Sequence, residues 1–235
     1  MVVRSLIARG AMAGAVAGVV SSVWSVLLVE PVLQRAIELE GAGDGPVSRP
    51  VQRLVGLPTG TVLVGVALGV LFALVYRAVP SRVPPWPRSL GLALGAFLAL
   101  VLVPQLVYPG NPPGVGSPDT IGQRTGSYLV AVLLGVTVVV SAYAAVRDLA
   151  ARGVSAPVRH TAVTLGAGLA IGVGYALLPP FPDPVDAPAS LVWQFRVLSW
   201  GGQALLFVVL GAVFGVLTGR ADQPATGSPA TRLLV

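Results

Sequence analysis

The stretch GAMAGAVAGVVSSVWSVLLVEP, residues 10–31, decides the fold. From Gly10 to Val29 it carries no charge, and Arg9 and Glu30 bound it. A helix needs about 20 apolar residues to cross the hydrocarbon of a bilayer. A secretory signal has an apolar core of only about 7–15 residues and ends at a small-residue cleavage site. This run is longer and meets Glu30-Pro31 without such a site, so it reads as a retained membrane helix. Inside it Gly10, Gly14 and Gly18 recur at four-residue intervals. That spacing lets helix backbones approach closely, and van der Waals packing then replaces the hydrophobic drive that lipid removes.

Five further apolar runs follow, at approximately 57–76, 89–108, 127–146, 161–178 and 197–219. They leave only short connections and tails. Composition agrees: 54% of residues are hydrophobic, 10% are charged and mean hydropathy is +0.84. A soluble domain carries roughly 25% charged residues, so this chain has too few to cover a water-facing surface. The expected fold is all-α and membrane-integral, a single polytopic domain over 1–235 with six transmembrane helices.

Orientation follows from arginine, because all 15 basic residues are Arg. With the N-terminus inside, Arg4, Arg9, Arg77, Arg82, Arg88, Arg147, Arg152, Arg159, Arg220 and Arg232 fall in the cytoplasm. Arg35, Arg49, Arg53, Arg124 and Arg196 fall outside, and so do seven of the nine acidic residues. Positive charge favours the cytoplasmic side, so both termini are placed there. Residues 221–235 then form a disordered cytoplasmic tail. The net charge of +6 describes a rim beside anionic lipid headgroups. It is not clustered as a nucleic-acid surface would require.

Absent residue types exclude much chemistry. Without Lys there is no P-loop lysine, so no ATP site is expected on this chain. Without Cys there is no thiolate metal site or cysteine nucleophile. The single histidine, His160, cannot make a His-pair metal site, and a triad would have to converge on it from acidic residues that lie mostly on the other side. An enzyme is not expected, and neither is a bound cofactor.

Glycines and arginines also repeat at long range. The pairs Gly14/Gly18, Gly91/Gly95 and Gly168/Gly172 are 77 residues apart, and Arg53, Arg124 and Arg196 follow at intervals of 71 and 72. Long periods with gaps in loops mark a repeated supersecondary unit. The unit reads as a helical hairpin used three times, at approximately 10–77, 87–147 and 161–220. An approximate threefold arrangement should bring the three arginines to equivalent positions.

The loops between paired helices hold the polar content. Val32, Leu33, Ala36 and Ile37 share one helical face, which predicts a short interfacial helix after Glu30-Pro31. The segment from Tyr108 to Thr120 is too rich in Pro and Gly to be helical, and 179–188 is similarly stiff. Two readings of the loop residues stand side by side. In one, Glu30, Asp119 and Asp186 face a vestibule and attract a divalent cation, since carboxylate and carbonyl oxygens suit hard ions. In the other, these carboxylates and loop carbonyls brace the arginines. Gln52, Arg53, Asn111, Gln123, Arg124, Trp193 and Arg196 belong to the vestibule or its braces on either reading.

Glu30-Pro31, Gln52-Arg53 with Gly56, the Pro109-Gly110-Asn111-Pro112-Pro113 loop leading to Asp119-Thr120 and Arg124, and Trp193-x-Phe195-Arg196 occur in an order that resembles the CbtA family. The resemblance runs from the first helix through the sixth. It implies a multi-pass protein of a prokaryotic cytoplasmic membrane, a subunit for cobalt transport with Co²⁺ as the transported ion. It also implies a small His-containing CbtB-like partner in the same bilayer, the source of any imidazole cobalt needs on the outer side, since His160 is placed on the cytoplasmic side. The alternatives are a small-solute permease in which Arg53, Arg124 and Arg196 attract anions, or a non-transporting scaffold for a partner protein.

Overall fold

The computed structural model describes residues 3–41, 46–116, 118–180 and 187–222. Six helices are long and apolar enough to cross a membrane: α1 (Val3–Glu40), α2 (Arg49–Ala78), α3 (Pro85–Val107), α4 (Ile121–Ala151), α5 (Ala156–Leu177) and α6 (Ala189–Asp222). The described residues contain no strand. The helices run past the apolar runs: α1 has 38 residues and α4 has 31. At 1.5 Å per residue α1 is roughly 55 Å long, so it projects well beyond a hydrocarbon core about 30 Å thick. The segment after Glu30 is therefore a continuation of α1 rather than a separate interfacial helix. Its predicted apolar face is real, with Val32 and Ala36 buried against Leu191 of α6.

Proline explains how the first three helices bend without breaking. Each contains one widened turn: Ser25–Val29 in α1, Gln52–Gly56 in α2 and Leu98–Leu102 in α3. In each, a proline follows two residues later, at Pro31, Pro58 and Pro104. A proline ring has no N–H and collides with the carbonyl four residues earlier. Those carbonyls belong to Leu27, Leu54 and Leu100, the middle residue of each widened turn. The backbone responds with i→i+5 bonds, the N–H groups of Glu30, Leu57 and Val103 donating to the carbonyls of Ser25, Gln52 and Leu98. Turns of this kind occur mostly as single bulges and are frequent at functional sites.

Helices α1 and α2 are antiparallel and touch backbone to backbone. A Cβ on Gly10 or Gly14 would collide with the carbonyl of Gly69 or Gly65, and one on Gly18 would lie 2.7 Å from the Cα of Val62. Helix α6 packs along both α1 and α3. Its Phe214 is fully buried, with Phe72 and Tyr76 of α2 set edge-on to it at centroid distances of 5.2 and 5.1 Å. At the end of the bundle that carries the termini, Arg88 donates to the carbonyls of Tyr76 and Val79 and lies 3.6 Å over the Tyr76 ring. That clasp joins α2 to α3.

Helix α4 packs on α3, and α5 packs on α4. None of the residues of α5 is buried, and Gly166, Gly168 and Gly172 face open space. The arms of the first two hairpins thus pair with each other. The arms of the third separate, α5 joining α4 while α6 fills the space between α1 and α3.

Candidate functional site

Two cavities open between the helices, one on each side of the contact between α3 and α6. The larger, about 920 Å³, lies among the loop after α3, α4, the end of α5 and α6. Arg124 and Arg196 both line it, with Gln105, Asn111, Tyr128 and Tyr175. The Pro-Gly-Asn-Pro-Pro loop builds its rim: Arg196 donates to Asn111 Oδ1 at 2.7 Å, fixing the loop to α6. Gly116, at φ +99°, lies against the Arg124 guanidinium where no side chain would fit. The hydroxyl of Tyr108 donates to Pro179 O at 2.8 Å and joins the loops after α3 and α5. Tyr175 donates to Val103 O, just past the widened turn of α3. Among the described lining residues there is no carboxylate.

The smaller cavity, about 620 Å³, lies among α1, α2, α3 and α6. No charged residue lines it. Its polar groups are Ser21, Ser25, Thr61, Ser199 and Gln203, and all three widened turns border it through Ser25 and Val29, Gly56, and Leu100 and Val101. Ser21 donates to Gly202 O at 3.0 Å and Trp24 to Leu198 O at 2.9 Å, so α1 is held to α6 along one wall. Gln105 of the larger cavity donates to Gln203 of the smaller at 2.8 Å. This amide pair stands in the wall between the two spaces.

A third polar group sits beside the widened turn of α1. Glu30 is 2% exposed and ion-paired with Arg49. Arg49 also donates to Gln34 at 3.3 Å and to Gln52 at 2.7 Å, and Gln52 in turn donates to Val47 O. The predicted residues therefore divide. Asn111, Arg124 and Arg196 converge on one cavity. Glu30 and Gln52 form a brace around Arg49. Arg53 is exposed outside both cavities and donates to Val26 O at 3.4 Å, a carbonyl within the widened turn of α1. Gln123 and Trp193 are exposed. Asp119 is exposed in the short 3₁₀ turn before α4 and lines neither cavity. Asp186 lies outside the described residues, which contain no group of three or more His, Cys, Asp or Glu placed to hold a metal ion.

Sequence reasoning missed Arg49, the Gln105–Gln203 pair and the hydroxyls of the smaller cavity. Prolines inside apolar runs carried a usable signal, since Pro31, Pro58 and Pro104 each mark a widened turn.

Six helices long and apolar enough to cross a membrane, with open cavities between them, define a multi-pass membrane protein. The chain belongs to the CbtA family, whose model, the probable cobalt transporter subunit, matches residues 3–219. No curated protein and no solved structure matches it.

Proposed function

We propose that this chain is the membrane-spanning subunit of a transporter that moves a divalent transition-metal ion, Co²⁺, across the cytoplasmic membrane of a prokaryote. The observation that carries the reading is the smaller cavity. Ser21, Ser25, Thr61, Ser199 and Gln203 line it among apolar side chains, and each of the three widened turns contributes at least one residue to its border. Membership of a transporter-subunit family supports it. Both termini lie in the cytoplasm on this reading, supported by the arginine split, and the cavities then open toward the outer half of the membrane. The glycine and arginine spacings support a helical hairpin used three times. A CbtB-like partner supplies what the subunit lacks.

The test is accumulation of radiolabelled Co²⁺ in cells that express the chain with and without that partner. Uptake that depends on the chain supports the reading. Stable insertion with no uptake in either case favours a scaffold. A second reading, an anion permease, is favoured by the placement of Arg124 and Arg196 on the lining of one cavity. It predicts uptake of small anions that Arg196→Gln abolishes.

A further inference from the structure

We infer that the larger cavity is a phospholipid site, in which Arg196 holds the headgroup phosphate and one acyl chain runs along the uncovered glycine face of α5. The inference is independent of what the chain transports.

The donor inventory of Arg196 is the starting point. A guanidinium has five N–H donors. Arg196 lines the cavity, and its one hydrogen-bond partner among the described residues is the neutral Asn111 Oδ1. No ion pair among those residues includes it. Its Nε is buried and has no partner there, and a buried donor left unmade is costly. Such a group fits an oxyanion, because phosphate oxygens accept parallel bonds from the guanidinium fork. Arg124 is already engaged and forms part of the wall, with Gly116 against its guanidinium. The site is built on Arg196.

Depth selects the source of the phosphate. Arg196 stands immediately before the apolar run 197–219, and Arg124 shortly before the run 127–146. Runs of this length match the hydrocarbon core, so both arginines lie at its edge, the level of the lipid phosphates. Tyr108, Tyr128 and Tyr175 line the same cavity, and amphipathic rings of this kind gather at that level. Basic pockets between membrane helices are known to take lipid headgroups. The volume, about 920 Å³, falls among pockets for organic ligands of about 300–1,000 Å³. A lone inorganic ion would not fill it.

Helix α5 supplies the path for the chain. Tyr175 borders the cavity and donates to Val103 O of α3. Gly172 and Gly168 precede it by three and seven residues, which places all three on one helical face. At both glycines an added Cβ would meet nothing within 4 Å, and none of the residues of α5 is buried. An open strip roughly 10 Å long therefore leads from the cavity into the hydrocarbon. Alone, that strip would suit a helix or a chain. Joined to a cavity at phosphate level, it suits a chain that hangs from a headgroup.

The experiment uses the full chain, purified and delipidated in detergent, with radiolabelled phosphatidylglycerol as the probe. Saturable binding is expected, displaced by unlabelled phosphatidylglycerol but not by inorganic phosphate or by diacylglycerol with the same chains. Arg196→Gln should weaken binding at least tenfold. Gly172→Leu, which fills the strip and leaves the Arg196–Asn111 bond in place, should weaken it severalfold and keeps the test open if Arg196→Gln does not fold. Arg53→Gln removes an exposed arginine that lines neither cavity, and should leave binding unchanged. Circular dichroism and elution profile verify that each variant is folded. Displacement by inorganic phosphate overturns the lipid as the source and supports the anion permease instead. Displacement by diacylglycerol as effective as by phosphatidylglycerol overturns recognition of the phosphate. A folded Arg196→Gln that binds like the parent overturns the location, and unchanged binding by Gly172→Leu overturns the chain path. No saturable binding overturns the whole inference and leaves the transport reading untouched.

Discussion

Helices α1 and α5 carry the same small-residue spacing, Gly14/Gly18 in one and Gly168/Gly172 in the other, and they end in opposite environments. Around Gly14 the carbonyl of Gly65 fills the space where a side chain would stand. Around Gly168 and Gly172 there is nothing within van der Waals reach. The difference lies in the neighbour. Helix α2 offers its own pair, Gly65 and Gly69, in antiparallel register with α1, so two flat faces meet and the backbones close. Helix α4 meets α5 with Leu134 against Gly174, a side chain against a groove, and the other glycines of α5 are left uncovered. A small-residue stripe permits contact, and the partner's stripe decides whether contact occurs.

The largest expected effect tests the closed side. Gly14→Val and Gly65→Val each force a branched side chain into backbone. Overpacking of a tight interior costs about 1–3 kcal/mol and at times more. The upper end is expected here, because the colliding atoms are carbonyls that cannot rotate away. Unfolding in mixed detergent micelles measures it, and tolerance of both substitutions would break the contrast with α5.

Next in size is the Arg49 brace, which holds the start of α2 to the middle of α1. Removing one partner of a buried pair leaves the other without compensation, and about 1–3 kcal/mol is expected for Arg49→Ala. The lower half of that range applies because the Arg49 side chain is 31% exposed while Glu30 is 3% exposed. Glu30→Leu combined with Arg49→Met should recover most of the loss, as apolar replacement of buried ion pairs often does. If the double variant is no better than Arg49→Ala alone, the pair is not what holds α1 to α2 at that end.

A smaller effect is expected where α1 meets α6. Ser21→Ala removes the bond to Gly202 O, and hydrogen bonds between membrane helices average about 0.6 kcal/mol. Such a loss is visible in the same unfolding assay. A change as large as that of Gly14→Val would mean that the hydroxyl, rather than the glycine faces, organises the α1 interfaces.

These magnitudes also show what the sequence could and could not convey. Six helices were legible because apolar length is a property of each segment alone. The α1–α2 contact was legible in outline, since both glycine stripes are visible. Partner choice was not. Gly168/Gly172 reads like Gly14/Gly18, and nothing local says that α6 will leave α5 to pack between α1 and α3. The loop residues divide in the same way. Asn111, Arg124 and Arg196 were recognisable from the Pro-Gly-Asn-Pro-Pro loop and the helix starts that follow it, and they share a cavity. Arg53 occupies the matching place in the repeat, yet Arg49, one helical turn earlier, reaches Glu30. A one-turn choice between two arginines depends on where α2 begins, and Arg49 starts that helix. The smaller cavity was invisible for another reason. Serines and a glutamine scattered over long apolar runs carry no motif until the helices bring them together.

The smallest expected effect is the sharpest test of the opening comparison. Gly168→Val adds an isopropyl group at a position where an added Cβ meets nothing within 4 Å. No packing is lost, and valine is a somewhat better helix former than glycine, by a few tenths of a kcal/mol. Exposed substitutions away from special features change stability by no more than about 0.5 kcal/mol. The folded chain alone in detergent should therefore unfold within that margin of the parent, while Gly14→Val does not. A loss comparable to that of Gly14→Val would show that the α5 face is covered even in the isolated chain. The glycine spacing would then report packing in both helices, and the contrast between α1 and α5 would fall.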